Sequence, residues 1–164
     1  MSEMIPAAKP LIGDEERAAV DRILQSGMLA QGPEVAAFED EFSTLVAQRH
    51  CIAVNSGTSG LHLALNALGI KQGDEVIVPS FTFAATANAV ALTGATPVFV
   101  DSERDTWNMD PELLEEAIKD RLSKGKKPKA ILLVHLYGMP AKMKEILTIA
   151  EKYNIPLIED AAEA

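Results

Sequence analysis

The 164 residues carry 24 acidic against 15 basic side chains, for a formal net charge of −9, and 48% of them are hydrophobic. That balance excludes binding of nucleic acid or anionic membrane by charge attraction, and the apolar content is that of a folded domain rather than a disordered chain. The single cysteine, Cys51, closes no internal disulfide, no apolar run is long enough to span a bilayer, and the first residues show no signal peptide, so a soluble, cytoplasmic protein is expected.

In chain order, residues 5–12 read as a Pro-containing extended arm. A helix follows from about Gly13-Asp14, with Val20, Ile23 and Leu24 at helical spacing and Gly27 as its stop. Pro33 opens a second helix with Val35, Phe38, Phe42, Leu45 and Val46 on one side. Residues 1–48 thus form an arm and two helices. From Cys51 onward, strands and helices alternate: strands at 51–54, 75–78, 97–100, 130–135 and 156–159, helices at 58–68, 82–92, 111–122 and 141–153. The strands are short, apolar and continuous rather than alternating, as in a mostly parallel sheet covered by helices on both faces. Residues 49–164 are therefore expected to be a three-layer α/β/α unit.

Three strand ends carry the candidate chemistry. The run Val54-Asn-Ser-Gly-Thr-Ser-Gly60 breaks a strand and starts a helix, whose free amides and positive dipole end favour an anion. Gly57 permits close approach and Thr58 and Ser59 add hydroxyls; a plain helix cap is the competing reading. Pro79-Ser-Phe-Thr-Phe83 places two aromatics after another strand, where one ring could stack on a flat ligand; Phe81 is expected to be core. Ile155-Pro-Leu-Ile-Glu-Asp160 delivers a carboxylate to the strand edge where open α/β sheets bind ligands, although a helix cap or an ion pair would also use it. His135 ends a further strand and reads as a structural histidine, and His50, His62 and His135 show no metal-ligand spacing. A phosphate cradle, an aromatic and a carboxylate at one edge suggest pyridoxal 5'-phosphate (PLP). Its phosphate would lie on Gly57, Thr58 and Ser59 and its ring under Phe83. Asp160 would keep the pyridine nitrogen protonated, which makes the ring an electron sink.

Asn55-Ser-Gly-Thr-Ser-Gly-Leu-His-Leu-Ala-Leu, Gly73-Asp-Glu-Val-Ile-Val-Pro-Ser-Phe-Thr-Phe, Gly94-Ala-Thr-Pro-Val-Phe-Val-Asp101, His135-Leu-Tyr-Gly138 and Ile158-Glu-Asp-Ala-Ala-Glu-Ala164 resemble, in order, the motifs of the DegT/DnrJ/EryC1/StrS aminotransferases. The resemblance implies the aspartate aminotransferase fold. Residues 49–164 would be the N-terminal part of the large, PLP-binding domain, without the rest of that domain or the C-terminal domain. It also implies transfer of an amino group, from glutamate, to a nucleotide-linked keto sugar by a cytoplasmic homodimer. Phosphate contacts would fall on Gly57, Thr58 and Ser59, the stacking ring on Phe83 and the pyridine-nitrogen acid on Asp160. Glu163 would lie near the ring hydroxyl, which leans towards amination at C4. The family's catalytic lysine comes shortly after the Asp160 motif, and Lys71, Lys119, Lys142 and Lys152 match no family position. The chain is accordingly expected to be the N-terminal portion of a longer enzyme and inactive alone. The alternatives are a related PLP sugar dehydratase and a non-catalytic nucleotide-binding module, although no Gly-x-Gly-x-x-Gly is present.

Overall fold

The structure is a computed structural model that describes residues 9–47 and 50–164. It divides into two units, Met1–Ala53 and Val54–Ala164. The boundary expected between residues 48 and 49, and the first part of the expected arm, lie outside the described residues.

The first unit holds two helices, α1 (Asp14–Ser26) and α2 (Pro33–Leu45). Asp14, Glu15 and Glu16 fill the first turn of α1, where negative charge suits the dipole, and Glu16 Oε2 accepts the Gly13 amide at 2.6 Å. Gly27, at φ 71°, ends it in the left-handed conformation that a side chain would oppose. Pro33 occupies the first turn of α2, where its missing N–H costs nothing. The strand expected at 51–54 is not formed. A strand needs a neighbour's ladder, and among the described residues no ladder includes this run.

The second unit runs α3 (Gly57–Ala67), β1 (Glu75–Pro79), α4 (Ala85–Leu92), β2 (Thr96–Val100), α5 (Pro111–Ser123), β3 (Ala130–Val134), a 3-10 turn (Leu136–Gly138), α6 (Met143–Tyr153) and β4 (Leu157–Asp160). The four strands form one parallel sheet in the order β2-β1-β3-β4. Five positions pair β1 with β2 and four pair β3 with β4. Only two, Val76 with Ala130 and Ile77 with Ile131, join β1 to β3.

Every residue of β1 and β3 is buried, so neither strand alternates in polarity, yet their side chains alternate in destination. Val76, Val78, Ala130, Leu132 and Val134 pack with Leu61 and Leu65 of α3 and Ala89 and Val90 of α4. Ile77, Ile131 and Leu133 pack on the other face with Leu114 and Ile118 of α5 and Ile146 and Ala150 of α6. This is the expected three-layer α/β/α arrangement. The connections explain it: the chain steps from β1 to β2 in one direction, then from β2 past β1 to β3 and on to β4 in the other. Right-handed crossovers then send α4 to one face and α5 and α6 to the opposite one. Chain paths leave β1 and β3 towards opposite faces, which opens a crevice at their C-terminal ends.

Candidate active site

That crevice is a cleft of about 270 Å³, near the lower end of small-molecule sites, which run from roughly 300 Å³. Gly57, Thr58 and Leu61 line it from the start of α3, Thr82, Phe83 and Ala85 from the segment after β1, Val134 and His135 from the end of β3, and Asp160, Ala162 and Glu163 from the end of β4. Ser56 caps α3: its Oγ accepts the Ser59 amide at 3.2 Å and lies 3.0 Å from the Ser59 hydroxyl. The Gly57 and Thr58 amides find no acceptor among the described residues, so two N–H donors at a helix's positive end remain for an anion.

Phe83 is 81% exposed, an apolar ring with little to cover it. The carboxylate of Asp160 is held from two sides, with Oδ1 accepting the Ala162 amide at 3.2 Å and Oδ2 accepting the Thr86 hydroxyl at 3.2 Å. Its carbonyl accepts the His135 amide at 3.1 Å, which ties β4 to the end of β3. No cationic side chain pairs with Asp160 among the described residues, so its negative charge is available to a ligand. His135 is buried with both ring nitrogens engaged: Nδ1 accepts the Ala141 amide at 3.1 Å, so Nε2 carries the proton and donates to Glu159 Oε2 at 3.0 Å. Glu163 Oε2 accepts the Tyr137 amide at 2.7 Å. Tyr137, at φ 52°, and Gly138, at φ 79°, turn that amide towards the tail. Buried Asn108 secures the same turn, accepting the Leu136 amide and donating to the Met139 carbonyl, each at 2.9 Å.

Donors for a phosphate, an uncovered aromatic ring and an ionisable carboxylate thus border one cleft, which fits PLP in donor type. The family profile described as the DegT/DnrJ/EryC1/StrS aminotransferase family matches residues 10–164. The chain belongs to this family. A DegT/DnrJ/EryC1/StrS aminotransferase from Brucella abortus is similar at 45% identity over 90% of this chain and 40% of its own, with a TM-score of 0.87. DesV of S. venezuelae matches at 46% identity over 92% of this chain and 39% of its own, with a TM-score of 0.84. Spr1654 of Streptococcus pneumoniae, assigned as a sugar aminotransferase and solved in PMP and PLP forms, matches in its PMP form at 32% identity over 98% of this chain and 43% of its own, with a TM-score of 0.90. The chain therefore spans about two fifths of these relatives, with the fold of PLP-dependent aminotransferases.

Set against this DegT/DnrJ-type framework, Gly57, Thr58, Phe83, Asp160 and Glu163 come together at the cleft, whereas Ser59 does not line it and spends its amide on the Ser56 cap. Phe81, expected in the core, is instead 43% exposed and tilts against Trp107 at a ring-centroid distance of 5.7 Å. The helix expected from Thr82 starts at Ala85. Its first three expected residues form the segment that brings Thr82 and Phe83 to the cleft. Among the described residues no lysine lines it: Lys142 bonds Glu103 and Asp105 at 3.0 Å each, and Lys119 and Lys152 pair with Glu115. No group of His, Cys, Asp and Glu among the described residues is arranged to hold a metal ion. Nor is any described helix long and apolar enough to cross a membrane. Sequence reasoning missed Thr82, Thr86 and Glu159. The only available signal was the i, i+4 spacing of the two threonines, which helices share widely.

Proposed function

We propose that the whole protein is a PLP-dependent aminotransferase that moves an amino group from glutamate to a nucleotide-linked keto sugar, at C4, and works as a cytoplasmic homodimer. In this reading residues 49–164 are the N-terminal part of the cofactor-binding large domain. The observation that carries the proposal is the convergence of the free Gly57 and Thr58 amides, the exposed Phe83 ring and the Asp160 carboxylate on one cleft. Family membership and the likeness to Spr1654 support the sugar class.

Bound there, PLP supplies an electron sink for negative charge developing at the substrate carbon. The chain's residues bind and orient it. The first amides of α3, with the Thr58 hydroxyl, would hold the phosphate; Phe83 would cover the ring and keep water from it; Asp160, without a cationic partner, would accept the ring N–H. Glu163, which accepts the Tyr137 amide and lines the cleft, would meet the cofactor's ring hydroxyl in this reading. In this reading the lysine that the family uses for covalent attachment and proton transfer lies elsewhere in the whole protein, and residues 1–164 alone are expected to be inactive.

The test uses the full-length protein, incubated with PLP, reduced with borohydride and analysed by mass. Amino transfer from glutamate to nucleotide-linked 4-keto sugars is then assayed. A reduced adduct together with transfer supports the proposal. Asp160→Ala should lower kcat by about 10²–10³-fold with the fold intact. Near-normal turnover in that variant sinks the assignment of Asp160.

A further inference from the structure

We propose that Thr86 is a positioning residue for Asp160, with Thr82 behind it in a short hydroxyl relay, an inference that rests on the reading of Asp160 as the partner of the cofactor's ring nitrogen. Thr86 lies in the first turn of α4 and is fully buried. Its Oγ1 is 3.2 Å from Asp160 Oδ2 and 3.2 Å from Thr82 Oγ1. An ionised carboxylate only accepts, and a hydroxyl owns one hydrogen. Thr86 therefore donates to Asp160, and Thr82 donates to Thr86.

Other helical threonines do something different. Thr44 and Thr148 return their hydroxyls to carbonyls four residues back, the usual resort of threonine in a helix. Thr86 instead reaches a partner 74 positions away, on the strand whose end enters the cleft. The result is mechanical. A carboxylate rotates freely about its last torsion, which is broad and roughly two-fold. Here the Ala162 amide fixes one oxygen and the Thr86 hydroxyl fixes the other, so the plane of the group is set before any ligand arrives. Both donors are neutral, so the negative charge is oriented without being cancelled.

The experiment uses the full-length protein with ring-¹⁵N-labelled PLP. Thr86→Val keeps the shape and removes the hydroxyl; Thr86→Ser restores it; Thr82→Val removes only the second donor. Expected are a rise of about tenfold in the PLP dissociation constant for Thr86→Val, the size of a lost hydrogen bond to a charged group, and a ¹⁵N signal displaced towards that of an unprotonated ring. Thr86→Ser should recover both, and Thr82→Val should shift both in the same sense by less. Unchanged affinity and ¹⁵N signal in Thr86→Val overturn the proposal. If Thr86→Val does not fold, an unchanged ¹⁵N signal in Thr82→Val overturns it, and a displaced one supports it. A wild-type protein that binds no PLP overturns the functional reading itself, and this inference falls with it. An adduct in the wild type with no effect in the variants refutes the relay alone.

Discussion

Gly138 shows how one missing side chain joins two strand ends. Its φ of 79° lies where only glycine is at ease, and a Cβ built there would stand 2.6 Å from the Glu163 carbonyl oxygen. The turn can therefore lie directly on the tail beyond β4, and the preceding Tyr137 amide meets the Glu163 carboxylate. Gly138→Ala should cost about 1–3 kcal/mol through left-handed strain and the clash together. A denaturant titration of the variant that reproduces the wild-type midpoint would refute this close approach. Asn108 does related work from another loop, since its amide group satisfies both ends of the same turn.

The parallel strands differ in how much each is worth. Leu132 in β3 is fully buried against α3 and α4, so Leu132→Ala leaves a cavity and should lower stability by about 2–5 kcal/mol. Phe99, on the edge strand β2 and 57% exposed, should cost far less when truncated, and equal urea midpoints for the two variants would contradict this packing. The alternation of strands and helices was legible because apolar runs of strand length are separated by glycines and helical spacing. Residues 51–54 form a short apolar run like those of β1 and β3 but no strand, because an apolar run does not say whether a partner ladder exists. The assignment of β1 and β3 residues to faces was equally invisible, since both faces are apolar. At the cleft, Gly57, Thr58, Phe83 and Asp160 could be found because each stands at a strand or helix end with a local signal. Thr86 had only its i, i+4 spacing from Thr82, which helices share widely, and its meaning lies in a contact 74 residues away.

Across the molecule, acid should be the sharpest destabiliser. Buried Glu103 is held at about 2, well below its ordinary 4.5, by the Thr106 hydroxyl foremost, then the Asp105 amide, Lys142 and the Thr106 amide, against the opposing effect of burial. Glu115 is also brought to about 2, by Lys152 first, then Lys119 and Tyr153. Both folded-state values are depressed, so the stability they contribute is complete above 4.5 and is lost as pH falls towards 2. Thermal melts should decline steeply across that window, and Glu103→Gln should flatten the decline while lowering stability at neutral pH. A variant whose acid profile overlays the wild type would show that Glu103 carries none of it.

The two-position ladder between β1 and β3 has a mechanical meaning. Backbone bonds fix register like stitches, and here the stitching stops at Ile77 and Ile131. Beyond that point the β2-β1 and β3-β4 halves are joined by Val78, Leu132 and Val134 packed with α3 and α4, through non-directional side-chain contact. The sheet is thus a split plank, clamped at one end and open at the other. The cleft opens beyond that seam, bordered by Val134 and His135 at the end of β3 and Asp160 at the end of β4.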